Sequence, residues 1–180
     1  YVVFFPTLAA GPIDRAERFA KDLQKDFALK QDGMLLAGQR IAIGLLKKFV
    51  IADALALIAL NDTLATQVNS PGWMWVHLYA YAFQIYYDFS GYTDIAIGIA
   101  LLVGIKLPEN FLSPYTKPNL TQFWNNWHMT LTQWCRSYFF NPFNRWIRGY
   151  KIPAWTMLLA GQLATMLLIG LWHGITWNFI

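Results

Sequence analysis

Three long apolar blocks, separated by polar segments, dominate the pattern of the chain. They cover residues 34–60, 73–105 and 152–180. Each is longer than the roughly 20 residues that a helix needs to cross about 30 Å of hydrocarbon. The sequence SGY at 90–92 predicts a break within the second block. The pattern therefore predicts several membrane-spanning helices.

The segments outside the blocks contain two amphipathic patterns and one turn. Residues 13–30 place apolar side chains, among them Phe19 and Phe27, at helical spacing opposite a face of mixed charge. This predicts a helix at the membrane interface or packed on the protein. Residues 119–140 predict a second helix that begins with a capping-box variant at Asn119. Residues 61–72 predict a polar turn.

The distribution of Lys and Arg predicts the topology. Residues 13–33 carry five basic side chains and residues 106–151 carry six, whereas 61–72 carry none. Basic residues favour the cytoplasmic side of a membrane. We therefore expect 61–72 to face outward and the other two segments to face the cytoplasm, in a multi-pass protein of the plasma (inner) membrane.

The composition agrees with a membrane protein and argues against several other classes. Charged residues make up 13% of the chain, against about 25% in soluble domains. The single cysteine excludes an intrachain disulfide, and the basic residues do not form the stripe expected of a nucleic-acid-binding protein. Both ends look cut, so we interpret residues 1–180 as one membrane domain that is the central part of a longer chain.

Four ionisable residues are candidates for chemistry: Asp88, Asp94, His128 and His173. Such groups at membrane depth cost about 2.5–3.5 kcal/mol on insertion scales for a central charge, so they face a protein interior or a water-filled cavity. His173 lies between Gly170 and Gly174. It is either a hydrogen-bonding residue at a close helix contact or a neutral general base whose pKa is held down by burial. Its position alone does not decide between these.

The other candidates have structural interpretations that their positions favour. On a helix, His128 would share a face with Trp124 and Thr132, as an interfacial histidine does. His77 fits an interface residue. Asp88 and Asp94 fit partners for basic side chains or helix caps better than a proton or cation pathway. No metal-binding, phosphate-binding or serine-nucleophile motif is present, so we expect no bound metal or cofactor.

Four stretches, in order, resemble the membrane-bound O-acyltransferase family. They are FFPTLAAGPIDRAERF (4–19), YYDFSGYTDIAIGIALLVGIKLPENFLSPY (86–115), FWNNWHMTLTQWCRSYFFNP (123–142) and GLWHG (170–174). The resemblance is to the bacterial branch that includes alginate O-acetyltransferase membrane subunits and teichoic acid D-alanyl transferases. The chain departs from the family pattern at Asn126, where Arg is usual, and at Ser137, where Asp is usual.

The resemblance implies an all-α polytopic membrane protein whose helices surround a tunnel. It implies that His173 is the catalytic histidine and that His128 is its partner in the tunnel. The residues expected to bind substrate or support the site are Trp172, Asn125, Trp127, Asp88, Ser90, Tyr92, Asp94 and Arg136.

The function expected from this resemblance is transfer of an acyl group, with acetyl preferred, from a cytoplasmic thioester to hydroxyls of an exported cell-surface polysaccharide. The donor would be acetyl-CoA or an acyl-carrier protein. The acceptor would be the polymer or a periplasmic acyl-relay protein. His173 would act as general base, and His128 would position the donor carbonyl or polarise it. The alternatives are D-alanyl transfer to a teichoic-acid-type polymer, a transporter or proton relay, and a silent scaffold that binds an acyl carrier.

Overall fold

All the regular secondary structure in the described part of the chain is helical. A computed structural model describes residues 3–25, 31–150 and 152–176, and these residues form helices and loops without a strand. This confirms the all-α prediction. The α-helices are α1 (Phe5–Leu8), α2 (Ala16–Leu23), α3 (Gln31–Leu46), α4 (Asp53–Ala56), α5 (Asp62–Gln67), α6 (Pro71–Leu102), α7 (Leu120–Asn126), α8 (Met129–Cys135), α9 (Asn141–Ile147) and α10 (Ala154–His173). The segments Lys47–Ala52 and Arg136–Phe140 are π-helical, and Pro114–Thr116 and Arg148–Tyr150 are 3₁₀ turns.

Helices α3 and α6 pack against each other through glycines. A Cβ atom added to Gly91 would lie 2.7 Å from the carbonyl oxygen of Gly44, and one added to Gly44 would lie 2.7 Å from that of Gly91. Further along the pair, a Cβ atom on Gly98 would lie 2.9 Å from the carbonyl oxygen of Ala37. Small residues let two helix backbones approach closely. The first two apolar blocks therefore form one closely packed pair.

The predicted break at residues 90–92 is wrong, because α6 is continuous across them. Gly91 permits the contact with Gly44 instead of ending the helix. Ser90 beside it is buried, and its carbonyl accepts a hydrogen bond from the Thr93 hydroxyl at 2.9 Å.

The amphipathic pattern near the start of the chain is confirmed for α2. Phe19 on this helix is buried in a cluster with Ile97, Ala100, Ile105 and Leu107. Phe27, the last residue of the predicted pattern, lies outside the described residues. The polar turn predicted at 61–72 contains α5, whose first turn is capped by the Asn61 side chain.

The helix predicted over 119–140 begins as expected but is not continuous. The Asn119 side chain accepts a hydrogen bond from the Gln122 amide at 2.9 Å, as the capping pattern predicts. The helix then breaks at Trp127 and His128, where His128 has a φ of 41°. A loop from elsewhere in the chain stabilises the break: the Leu112 amide donates to the Asn126 carbonyl and the Met129 amide donates to the Asn110 carbonyl.

Among the described residues, α10 is the one helix that is both long enough and apolar enough to cross a membrane. Most of its side chains are exposed, including those of Leu158, Leu163 and Met166. Helix α3 continues through the π-helical segment into α4, and this run includes Arg40, Lys47 and Lys48. Helix α6 includes Asp88 and Asp94 within its length. The third apolar block thus contains the clearest candidate span.

Candidate active site

His128 lies at the helix break between α7 and α8 and is buried, with 7% of its surface exposed. Its ring packs edge-on against Phe89, with 4.8 Å between the ring centroids. Phe111 lies on another side of the ring, with a centroid distance of 6.3 Å. The backbone break therefore directs a polar ring into an aromatic environment.

The contacts of Asn110 fix which nitrogen of His128 carries the proton. Nδ1 of His128 lies 2.9 Å from Oδ1 of Asn110. The Thr130 backbone amide, which can only donate, lies 3.3 Å from the same Asn110 atom, so that atom is the carbonyl oxygen. Because a carbonyl oxygen only accepts, Nδ1 of His128 is the donor. In the neutral ring, Nε2 is then left with its lone pair.

The surroundings of His128 keep the ring neutral. Burial, together with the smaller effect of the charge of His173, lowers the pKa of His128 from about 6.5 to about 4. Desolvation disfavours the imidazolium form, and a nearby positive charge does the same. The two motif histidines therefore interact electrostatically.

His173 is the last residue of α10, and its ring lies against that of Trp172 with a centroid distance of 4.8 Å. Gly174 follows and ends the helix, with its amide bonded to the Gly170 carbonyl. In the described chain the side chains of both His173 and Trp172 are exposed.

Trp127 belongs to an aromatic cluster beside His128. Its ring is stacked on Phe123 at 5.5 Å and contacts Phe111, Tyr115 and Tyr86 at centroid distances of 5.2, 5.8 and 6.1 Å. Aromatic pairs of this kind add about 0.5–1.5 kcal/mol beyond their area burial. The cluster joins α6, α7 and the loop between them. It includes Phe111, which contacts the His128 ring.

Asp88 and Asp94 form ion pairs between α6 and the α3 segment. Asp94 accepts from Arg40 Nε and from Lys47 Nζ, both at 2.6 Å. Asp88 pairs with Lys48. The structural interpretation of these two carboxylates, as partners of basic side chains, is therefore correct.

Arg40 extends this network to the loop that carries Asn110. Its second guanidinium nitrogen pairs with Glu109, the residue next to Asn110. The backbone carbonyl of Asn110 also accepts from the Met129 amide at 2.8 Å. The ion pairs of α3 and α6 thus anchor the loop that holds His128, although they do not contact the ring themselves.

The remaining predicted residues lie at different places around this centre. Ser90 is buried on α6, and its hydroxyl has no hydrogen-bond partner. The Tyr92 hydroxyl donates to the Pro6 carbonyl at 3.1 Å. Arg136 donates to the Asn125 side chain at 2.8 Å, on an exposed surface. Sequence reasoning therefore grouped residues that the structure distributes over a core, an N-terminal contact and a surface pair.

A groove of about 500 Å³ lies on the other side of Thr130. Its walls come from residues 13–18 and from α8 and the π-helical segment after it. Thr130 connects this groove to the histidine, because its hydroxyl accepts from the Ile13 amide and donates to Asn110. Across the described ranges, no group of three or more His, Cys, Asp or Glu side chains could hold a metal ion.

Sequence reasoning missed Asn110, Thr130, Arg40 and Glu109. Asn110 and Glu109 lie in the quoted 86–115 stretch, so the motif contained them without indicating their role. The capping, periodicity and charge patterns used for prediction are local. The bond from Asn110 to His128 joins residues that are not neighbours on any helix, and this is why no pattern revealed it.

The sequence of the chain matches a known protein family. The profile of the membrane-bound O-acyltransferase family matches residues 1–180. The chain belongs to the membrane-bound O-acyltransferase family.

Several curated relatives are similar over the whole of this chain. A teichoic acid D-alanyltransferase of Bacillus subtilis is 36% identical, and the match covers 100% of this chain and 47% of the relative. A probable alginate O-acetylase AlgI of Azotobacter vinelandii is 38% identical, with 35% of its length covered. A peptidoglycan O-acetyltransferase of Helicobacter pylori is 37% identical, with 34% covered. The chain thus spans less than half the length of these relatives.

Proposed function

We propose that the protein transfers an acyl group, with acetyl preferred, from a cytoplasmic thioester to hydroxyl groups of a cell-surface polysaccharide. The observation that carries this proposal is the pair of motif histidines. His128 is buried and held in one tautomer by Asn110, and its pKa responds to the charge of His173. The family and the names of the relatives supply the reaction class.

His173 acts as the general base in this proposal. It takes the proton of the acceptor hydroxyl while the oxygen attacks the thioester carbonyl carbon. The tetrahedral intermediate then collapses, the carbon–sulfur bond breaks, and the leaving thiolate takes the proton from the His173 imidazolium. A positioned base contributes about 10²–10⁴ in rate.

His128 positions the substrate instead of polarising the donor carbonyl. Polarisation would need an N–H group at Nε2, but the proton of the neutral ring is on Nδ1, where it is bound to Asn110. Nε2 therefore accepts a hydrogen bond from a donor group of the substrate. Trp172 and Trp127 flank the two histidines and shape the site around them.

The family and helix α10 support a placement in the membrane. We place the protein in the plasma (inner) membrane with several crossings, around a tunnel that admits the thioester from the cytoplasm and the acceptor from outside. The family is membrane-bound, and α10 ends at His173 after 20 residues. A helix of this length spans about 30 Å, so it would bring His173 to one edge of the hydrocarbon.

D-alanyl transfer to a teichoic-acid-type polymer is the second candidate. It is favoured by the Bacillus subtilis relative, which is named as a teichoic acid D-alanyltransferase. Both candidates use an acyl thioester and an alcohol, so the histidine chemistry is the same. The transporter alternative is weaker, because Asp88 and Asp94 are bonded to Lys48, Arg40 and Lys47.

Mass spectrometry of cell-surface polymers tests the proposal. Polymers are compared from cells with the wild-type gene, without it, and with the gene restored as the His173→Ala variant. We expect acetyl esters in the wild type alone, and D-alanyl esters in the wild type alone would select the second candidate. Identical ester content in all three strains would refute acyl transfer to a surface polymer.

A further inference from the structure

Asn110 is fully buried, and its side-chain oxygen is surrounded by donors. Oδ1 lies 2.9 Å from Nδ1 of His128, 2.9 Å from the Thr130 hydroxyl and 3.3 Å from the Thr130 amide. The amide nitrogen of the same side chain, Nδ2, is buried without a hydrogen-bond partner. A buried unsatisfied donor lowers stability by about 1–3 kcal/mol. The hydrogen bonds that Oδ1 accepts must offset this loss.

Aspartate could make the same hydrogen bonds at this position. A carboxylate could accept the same three bonds and would leave no N–H group unsatisfied. The difference between the two side chains is charge. A carboxylate within hydrogen-bond distance of His128 would stabilise the imidazolium, whereas the amide oxygen binds the Nδ1 proton without adding a charge.

We propose that Asn110 is the positioning residue of the acyl-transfer site: its amide oxygen fixes His128 as the neutral Nδ1–H tautomer and thereby keeps the Nε2 lone pair available. The tautomer part of this proposal stands on the contacts of Asn110 alone. The consequence for acyl transfer rests on the proposed function.

The acidic groups near His128 are paired with basic residues, so the Asn110 side chain is the group that determines the protonation of the His128 ring. From α10, His173 is the titratable group that acts on it. Asp88 on α6 is paired with Lys48, and Glu109 in the Asn110 loop is paired with Arg40. Helices α7 and α8 contain no charged residue. In the described structure the His128 ring contacts Asn110, Phe89 and Phe111, and none of these side chains is a carboxylate.

The test uses NMR of the purified protein with ¹⁵N-labelled histidine rings, assigned with a His128→Gln variant. In the wild type we expect His128 to remain neutral and protonated on Nδ1 between about pH 5 and 8. In Asn110→Asp we expect the same nitrogen to stay protonated while the pKa rises by about 1–3. Asn61→Asp makes the same chemical change at the cap of α5 and should leave the His128 signals unmoved.

Activity gives the second readout. Acyl transfer by Asn110→Asp should fall up to about tenfold for each pH unit below the raised pKa and recover at higher pH, while Asn110→Leu should stay low at every pH. A wild-type His128 that is protonated on Nε2, or an unchanged pKa in Asn110→Asp, would overturn the proposal even if no Asn110 variant is active. Absence of transfer by the wild type would instead refute the proposed function, since the NMR result is independent of activity.

Discussion

Some residues of this protein fix the position of the His128 ring, and others hold helices α3 and α6 together. His128 depends on Asn110 for its tautomer and on Phe89 and Phe111 for its dry surroundings. Asp94 performs the other task, since it binds two cations from the facing helix. The distinction matters for mutagenesis, because loss of either kind of residue would reduce activity for a different reason.

The two carboxylates of α6 should differ in their contribution to stability. The Asp94 side chain is 8% exposed and that of Asp88 is 50% exposed. Asp94→Asn removes a buried carboxylate that Arg40 and Lys47 share; both cations are about a quarter exposed and Arg40 keeps Glu109, so we expect a loss of about 1–3 kcal/mol. Asp88→Asn, the matched control, removes a more exposed pair and should cost about 0–1 kcal/mol. Thermal unfolding of the purified protein in detergent measures both, and equal losses would contradict this assignment.

At the scale of helices, the contact between α3 and α6 is the main organising feature. The backbones meet at Gly44 and Gly91, and the ion pairs of Asp88 and Asp94 lie on either side of this contact along α6. Close approach brings the basic side chains of one helix within reach of the acids of the other. The glycines and the ion pairs thus depend on one another.

The Gly91→Ala substitution tests this contact. Its Cβ would meet backbone atoms of Gly44 and Lys48 at 2.7 and 2.8 Å, and such overpacking should cost about 1–3 kcal/mol. Gly38→Ala is the matched control, because nothing lies within 4 Å of its Cβ position. In a helix it should be neutral or stabilise by about 0.5–1 kcal/mol. Denaturant unfolding followed by tryptophan fluorescence compares them, and a stable Gly91→Ala protein would show that the helices do not touch there.

The sequence predicted those helical features that depend on neighbouring residues. The Asn119 cap, the amphipathic α2 and the apolar α10 all follow from patterns within a few turns. The break at His128 could not be predicted in this way, because the bonds that stabilise it come from residues 110–112. The break predicted at Gly91 was wrong for the same reason. A single sequence does not distinguish a glycine that contacts another helix from a glycine that ends a helix.

For the candidate site, too, the sequence predicted some features and could not predict others. The motifs identified both histidines, and the electrostatic effect of His173 on His128 agrees with their being close. The tautomer of His128 and the role of Asn110 depend on distances that a sequence does not contain. The exposure of His173 was also unpredictable, because hydropathy reports how apolar a segment is and not what covers it.

At the scale of the whole molecule, the exposed surface is unusually apolar. Large side chains such as Trp73, Trp75, Trp155 and Leu163 are exposed. Aromatic rings of this kind settle at membrane interfaces, and extended apolar surface marks contact with lipid or protein. The surface therefore suits the membrane placement that the family implies.

Cysteine labelling tests the predicted orientation. Ser70 is exposed in the segment expected to face outward, and Gly149 is exposed in the segment expected to face the cytoplasm. Ser70→Cys should react with a membrane-impermeant maleimide added outside intact cells, and Gly149→Cys should react only after the membrane is opened. Background reaction should be low because Cys135 is buried. Labelling of Gly149→Cys from outside, or of Ser70→Cys only after opening, would reverse the topology.

The most direct test of acyl transfer by the motif histidines is the rate at which the purified protein moves a labelled acetyl group from a thioester to a polysaccharide. The His173→Ala variant should insert and unfold like the wild type, because the side chain is exposed. Its transfer rate should be about 10²–10⁴-fold lower than that of the wild type. His77→Ala, which changes a half-buried histidine bonded to the Ile58 carbonyl, should keep the wild-type rate. Near-normal transfer by His173→Ala would contradict the account.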